Sequence, residues 1–345
     1  MTTSNKNEVA DVIIFGGGVA GSAFALDLTS RGVRVLVLHR DDKRRGIETI
    51  SPAACSLLGR IIHGHGSEFS LVAAWWGSEK VSTQSHAGAR AICRQSLAAL
   101  LRTEAAKGAK FLPVKTVASI SRTQTKWQTV YIDSLGCHRT AEADFICDAT
   151  GRRSVVGRHL GAIRQSTDKL CCITTETVQS GQAGTWTEAA SNGWWNLCSN
   201  GQTATLSFYS TPNVIRDASK NFIEFLAQTK EMAQLVTASE ASKKSIHFCN
   251  SSLLQPAAGP HWISIGDATM SLQPLASAGV TRALRDANRA APMLFGDISQ
   301  YNEMCRAEFK EYQKELLHQY SLETRWPGSN FWSDFQHEAE TSNSL

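Results

Sequence analysis

The sequence predicts an α/β protein, a parallel doubly wound sheet opened by a strand, glycine turn, helix and second strand, with an antiparallel sheet inserted into it. Three observations carry this. An apolar run over 11–15 enters Gly16-Gly17-Gly18-Val19-Ala20-Gly21, residues 22–31 set Ala23, Ala25, Leu26 and Leu28 at helical spacing, and 33–38 form a second β-branched and leucine run. Residues 170–210 change to short Thr-, Trp- and Phe-rich segments between Gly and Asn turns, the pattern of an antiparallel sheet. The length, 345 residues, exceeds the roughly 250 to 300 at which one hydrophobic core stops growing.

The remaining elements follow in order. Residues 94–108 read as a helix with Leu97, Leu100, Leu101 and Ala105 on one face and Gly108 as its stop. A β-rich stretch over 114–149 ends in the apolar strand Phe145-Ile146-Cys147. Residues 218–235 read as helix, 245–249 as extended, 261–265 as a strand entering Gly266-Asp267-Ala268, 300–320 as a polar helix and 325–332 as an aromatic tail. The expected division is a discontinuous nucleotide-binding domain over 1–66, 90–165 and 250–300, a β-sheet substrate domain over 67–89 and 166–249, and a C-terminal helix and tail over 300–345.

Composition narrows the function classes. Hydrophobic residues at 42% and charged residues at 19% suit a globular protein, and no apolar run approaches the roughly 20 residues of a membrane span. The polar start at 1–10 offers no signal segment, so a cytoplasmic location without membrane association is expected. Nine cysteines without C-x-x-C spacing suggest reduced thiols rather than disulfides or a metal site. The net charge of +4 is modest and scattered, and Lys43-Arg44-Arg45 reads as a solvated loop, so no nucleic-acid partner is expected.

The spacing Gly16-x-Gly18-x-x-Gly21 fits a dinucleotide fingerprint: the first glycine turns the chain, the second admits pyrophosphate, and the third packs helix on strand. The helix start at Val19 and Ala20 offers free N–H groups and a positive dipole end to phosphates. One position departs from the pattern. Where an acidic residue ordinarily binds ribose hydroxyls, the second strand ends in His39 and Arg40. A neutral imidazole still hydrogen-bonds a hydroxyl, the arginine also admits a 2′-phosphate, and Asp41 or Asp42 is a further candidate.

Three later segments resemble the flavoprotein hydroxylases and point to FAD. Arg94 resembles the arginine placed at the adenosine half of FAD. Asp148-Ala149-Thr150-Gly151-Arg152 resembles the family's alanine-threonine-glycine signature. Gly266-Asp267-Ala268 with Pro274-Leu275-Ala276-Ser277-Ala278-Gly279-Val280 resembles the segment whose aspartate binds the ribityl chain and whose loop faces the flavin. The resemblance implies a glutathione-reductase-type Rossmann FAD-binding domain with an inserted antiparallel β-sheet substrate domain, as in para-hydroxybenzoate hydroxylase. It names Gly16, Gly18, Val19, Ala20, Gly21, His39, Arg40, Arg94, Ala149, Thr150, Gly151, Gly266, Asp267, Pro274, Ala278, Gly279 and Val280 as cofactor-binding, with no metal.

Within that superfamily the chain resembles the tryptophan-halogenase-like branch, through Gly46-Ile47-Glu48-Thr49 followed by Ser51-Pro52. Two halogenase marks are missing: the W-x-W-x-I-P element, and a catalytic lysine, for no lysine lies between Gly46 and Ser78 and Lys80 stands beyond Trp75-Trp76. A closer resemblance is to the flavoproteins that mature cysteine tryptophylquinone glycine and lysine oxidases and quinohemoprotein amine dehydrogenase. It rests on residues 48–52, Trp76-Gly77, Gly193-Trp194-Trp195, the 274–280 loop, and Glu323-x-Arg325-Trp326-Pro327 with Phe331-Trp332. It implies an FAD-dependent monooxygenase that hydroxylates a tryptophan of a precursor quinone-cofactor oxidase with O2, through a flavin C4a-(hydro)peroxide. The reductant stays open between NAD(P)H and a separate flavin reductase. Glu48, Trp76 and Trp195 are the expected catalytic group, with Trp75 and Trp194 as further pocket candidates. Glu48 reads equally as a proton acceptor or a structural partner, and the aromatic residues would exclude water and align the ring. The alternatives are a hydroxylase or halogenase of a free aromatic molecule, and a flavin-containing chaperone that holds the precursor without turnover.

Overall fold

Val12–Phe15 is buried at every position, which fits a strand covered on both faces of a parallel sheet. In the computed structural model, which describes residues 7–40, 46–178, 181–236, 243–294 and 296–341, it lies between Val35–His39 and Phe145–Asp148. Ile13 is in register with Leu36 on one side and Ile146 on the other, all parallel. Trp262–Ser264 adds a further parallel strand beside Phe145–Asp148. Lys110–Arg122 starts parallel to Val35–His39, then continues antiparallel to Trp127–Asp133, which pairs in turn with His138–Ala143. Glu8–Val9 and Ala258–Gly259 close a nine-stranded sheet. The helix Val19–Ser30 crosses over between the first two strands and packs against Arg94–Ala105 and Gly279–Met293. The expected residues 22–31 thus belong to a helix that begins three residues earlier, at the last glycine turn positions.

The second sheet has eight strands in the order Lys244–Phe248, Cys171–Val178, Thr203–Ser210, Gly193–Ser199, Gly184–Ala190, Ser67–Trp75, Ser82–Cys93 and Ile47–Ile50. Two features differ from expectation. Ile47–Ile50, assigned by sequence to the nucleotide-binding part, is the edge strand here, because Glu48 and Thr49 pair with Ile92 and Ala91 of the long Ser82–Cys93 strand. Gly184–Ala190 pairs parallel with Ser67–Trp75, so the sheet is mixed at the point where the two chain segments meet. A small sheet of Ile163–Ser166, Ser252–Gln255 and Met270–Ser271 joins the lobes.

The expected helix over 218–235 instead starts at Pro212, which fits a first helical position. It breaks at Asn221 into Pro212–Lys220 and Phe222–Ala227, with Met232–Leu235 following. These pieces cover one face of the eight-stranded sheet. The polar helix spans Ser299–Ser321, and the expected aromatic tail is a turn over 325–329 that runs into a helix, Asn330–Thr341, so that its aromatic residues cover the other face.

Candidate functional site

The glycine turn is enforced by close approach. A Cβ on Gly16 would meet the Ala149 carbonyl oxygen at 2.2 Å, and one on Gly21 would meet the Gly16 carbonyl oxygen at 1.9 Å. Gly18 differs: a Cβ there would meet nothing within 4 Å, so the turn is open at this residue. The helix Val19–Ser30 begins immediately after Gly18 with no side-chain cap, leaving its first N–H groups facing that opening. An open glycine before an uncapped helix start fits a pyrophosphate, and so the residues present fit FAD. His39 lies beneath the turn, 6% exposed, with its ring edge-on to Phe111 and its Cβ 2.9 Å from where a Gly17 Cβ would stand. Arg40 is exposed. Asp41, Asp42 and the basic run 43–45 lie outside the described residues.

Two buried polar networks shape the opposite wall. Asp148 ends its strand fully buried; its carboxylate accepts from the Thr150 N–H at 2.9 Å, the Thr150 hydroxyl at 2.6 Å and the Gly157 N–H at 2.8 Å. It therefore builds the Ala149-Thr150-Gly151 turn, and burial pushes its pKa up against those bonds. Arg164 donates to the carbonyls of Asp267 (2.9 Å) and Ala268 (3.0 Å) and to the hydroxyls of Ser154, Ser252 and Ser271. Burial lowers it to about 10, and it fixes the Gly266–Ala268 turn from below. From the other side Asp286 accepts the Gly266 N–H at 3.0 Å, and Arg282 donates to the Gly266 carbonyl at 3.0 Å. Gly266 has φ +58, and a Cβ on it would strike the Ala20 Cβ at 2.7 Å, so this turn sits directly on the glycine helix. The backbone being held, the Asp267 side chain is left 40% exposed, 3.9 Å from Arg152.

Glu48 and Arg94 are brought together as an ion pair between the edge strand and the start of helix Arg94–Ala105, and the Arg94 N–H donates to the Gly46 carbonyl at 3.0 Å. Ser51 caps the following helix and its hydroxyl lies 2.8 Å from that of Thr281. This ties residues 48–51 to the first turn of helix Gly279–Met293. Pro274–Ala276 forms a 3-10 turn ahead of that helix, whose start also lacks a side-chain cap; Ala278 precedes it and Gly279 is exposed. Val280 is half-buried at its first turn. The glycine turn, Asp267, Arg94 with Glu48, and the 274–280 loop therefore border one region around helices Val19–Ser30 and Gly279–Met293.

Strand alternation divides each tryptophan pair between opposite faces of the eight-stranded sheet. Trp195 has no exposed surface; it stacks on Phe208 at 4.7 Å and meets Phe222 edge-on, inside the core beneath the short helices. Trp75 packs on that same side. The expectation that Trp195 lines a pocket is corrected by this position: it is a core side chain. Trp194 and Trp76 face the other way. Trp194 stacks on Tyr209 at 3.9 Å and donates to the Tyr320 hydroxyl at 3.1 Å. Trp76, half-buried, meets Trp194, Tyr320 and Trp332 edge-on and donates to the Gln319 carbonyl at 2.8 Å. Leu275 of the 274–280 loop packs on this cluster.

Several site-building residues escaped the sequence reading. Arg164, Asp286, Arg282 and Tyr320 carry no local motif, since apart from the Arg282–Asp286 ion pair one helical turn apart, their hydrogen-bond partners lie 10 to more than 100 residues away in the chain. Glu323 was singled out by resemblance alone, and its work is now visible. Its carboxylate accepts the Gly77 N–H at 2.8 Å and the Arg325 N–H at 3.0 Å, and it pairs with the Arg325 guanidinium. Arg325 in turn donates to the Trp75 carbonyl at 3.2 Å and lies over Trp326. Glu323 thereby holds the turn that presents Trp76. His63 and His65 are exposed, and among the described residues no group of three or more His, Cys, Asp or Glu could hold a metal. No helix among them is long and apolar enough to cross a membrane.

Comparison with known proteins places this geometry. The chain is 27% identical to the putative FAD-dependent oxidoreductase LodB of Marinomonas mediterranea, over 94% of this chain and 96% of that protein. The flavin-dependent halogenase CmlS superposes with a TM-score of 0.84 at 20% identity, over 98% of this chain and 70% of that one. The peptidyl tryptophan dihydroxylase QhpG, essential for tryptophylquinone cofactor biogenesis, superposes with a TM-score of 0.78 at 17% identity, over 95% and 78%. Fold, glycine turn and relatives define the class: this is a FAD-dependent oxidoreductase with a Rossmann-type nucleotide-binding sheet and an added sheet domain. Within that class the chain belongs to the tryptophan halogenase family, whose profile matches residues 84–345.

Proposed function

We propose that this protein hydroxylates a tryptophan residue of a precursor protein, a step toward a tryptophylquinone cofactor. The observation that carries the reading is the layout of the aromatic face. Trp76 is presented on a turn locked by Glu323 and Arg325, next to the loop expected to face the flavin. The likeness over nearly full length to LodB, and the fold shared with QhpG, support it. Lys80 is exposed on the turn after Trp76 rather than in that region, which supports oxygenation over halogenation.

Bound FAD would supply the activation of dioxygen. Gly16, Gly18 and Gly21 with the helix start at Val19 and Ala20 would hold the pyrophosphate, Arg94 the adenosine half and Asp267 a ribityl hydroxyl. His39 and Arg40 would border the ribose, and residues 149–151 and 266 would close the cleft around the cofactor. Pro274, Ala278, Gly279 and Val280 would face the ring, and the helix dipole behind them favours negative charge there. Trp76 would exclude water and orient the incoming indole. Glu48, held by Arg94, positions the edge strand, and proton acceptance by its carboxylate would have to compete with that ion pair.

The test is to incubate the FAD-loaded protein, a flavin reductase with NAD(P)H, and a quinone-cofactor oxidase precursor, and to follow oxygen uptake and precursor mass. The expected result is added oxygen on a precursor tryptophan. A second reading, a hydroxylase or halogenase of a free aromatic molecule, is favoured by the TM-score of 0.84 to CmlS. Modification of free indoles or phenols with an unmodified precursor would select it and reject the first.

A further inference from the structure

We propose that Cys172 and Cys249 form a peroxide-reactive dithiol, a second redox site that closes to a disulfide. Their sulfurs lie 3.0 Å apart and share a hydrogen bond, short of van der Waals separation and about 1 Å from the roughly 2.05 Å of a covalent bond. Both are held by a paired backbone. Cys172 stands in the strand Cys171–Val178 opposite His247, and Cys249 follows the end of Lys244–Phe248, with its N–H donating to the Leu170 carbonyl at 2.8 Å. Cys172 faces the aromatic side of the sheet beside Trp194 and Tyr209, whereas neighbouring Cys171 faces the opposite core. The pair is thus selected by strand alternation, with Cys171 turned away.

The surroundings give the two sulfurs different roles. Cys172 is 3% exposed and Cys249 is half-buried, so Cys249 is the one a small oxidant reaches. The hydrogen bond shared with Cys172, opposed by burial and aided by the Arg152 guanidinium, holds the Cys249 thiol below its ordinary pKa. The same bond, with burial, pushes Cys172 well above it. Arg152 reaches this place by donating to the carbonyl of Asn250, next to Cys249, at 2.6 Å. The buried thiols elsewhere behave oppositely: burial raises Cys171 to about 11 and Cys198 and Cys305 to about 12. A half-buried thiol of lowered pKa in contact with a second, more deeply buried thiol is the arrangement of an attacking and a resolving cysteine.

The oxidant is hydrogen peroxide. The Cys249 thiolate attacks one peroxide oxygen, the O–O bond breaks, and the departing hydroxide takes a proton to leave as water, giving a sulfenic acid on Cys249. The Cys172 sulfur then loses its proton and attacks the Cys249 sulfur; the S–S bond forms, the S–O bond breaks, and a second water leaves. Two thiols are oxidised and one peroxide is reduced to two waters. The step is independent of which aromatic substrate the protein takes.

The test uses the full-length protein treated with excess hydrogen peroxide or with dithiothreitol, then denatured in N-ethylmaleimide, digested with trypsin and weighed. Peroxide is expected to remove both alkylation sites of the pair and to join peptides 170–216 and 245–282, which carry Cys172 and Cys249. Because the first peptide also holds Cys171 and Cys198, the cross-link should persist in Cys171→Ser and Cys198→Ser and vanish in Cys172→Ser. Full alkylation of every cysteine after peroxide would overturn the proposal. So would a sulfinic acid on Cys249 without a cross-link, or a cross-link that survives in Cys172→Ser.

Discussion

Gly18 and Gly21 are both glycine in one turn, for opposite reasons. At Gly21 a methyl group collides with backbone 1.9 Å away, so Gly21→Ala is expected to abolish soluble protein. At Gly18 the space is open and φ is −79, which alanine adopts freely, so the fold tolerates the methyl and only a ligand would meet it. Gly18→Ala should melt within about 2 °C of the parent apo-protein yet retain little FAD on purification, read by flavin absorbance per chain. Asp267→Ala should likewise lose flavin with an unchanged melting temperature, because the turn is held by its backbone through Arg164 and Arg282. Full flavin occupancy in either variant would remove that residue from the site.

Glu323 yields a pH prediction. Burial pushes its carboxyl up, but Arg325 and the Gly77 and Arg325 N–H groups outweigh this and leave its pKa below the ordinary value. An acid with a depressed folded-state pKa contributes stability that is present above its unfolded pKa and is lost as pH falls through the folded one. The urea midpoint of the parent should therefore drop as the pH falls through and below the ordinary glutamate range, and Glu323→Gln should flatten that drop. Glu323→Ala leaves Arg325 and the Gly77 N–H without their acceptor and should cost about 2 to 4 kcal/mol.

At the scale of elements, the strand period of two decides what a tryptophan pair can do. Trp194 and Trp195 are adjacent in sequence and lie in different cores. Trp195→Ala should destabilise by about 3 to 5 kcal/mol in urea unfolding, the cost of an aromatic cavity. Trp76→Phe loses one hydrogen bond from a half-buried ring, about 1 kcal/mol, and should keep the fold while raising oxygen consumed per precursor hydroxylated. The Glu48–Arg94 pair joins an edge strand to a helix start. Glu48→Gln should leave precursor hydroxylation within a few-fold; a loss of about a hundredfold, the size of a general-base contribution, would make Glu48 the base instead.

At the scale of the whole molecule, the C-terminal segment completes the sheet domain. Trp332 is 2% exposed, donates to the Ala190 carbonyl at 3.0 Å and covers Trp76, while Tyr320 ties Trp194 to Gln273 just ahead of the 274–280 loop. A chain ending at residue 328 would bare this cluster and is expected to aggregate, as seen by size-exclusion chromatography. By itself the sequence determined the nucleotide-binding half, because glycine spacing, helix starts and β-branched runs are local and act within a few residues of one another. It also determined the presence of the aromatic residues and the terminal motif. Only the tertiary structure decided which tryptophan of each pair faces the loop, that residues 47–50 belong to the second sheet, and that Arg164, Asp286 and Glu323 brace the site. Those outcomes depend on strand register and on hydrogen bonds across 20 to nearly 250 residues of chain, and no local pattern encodes either.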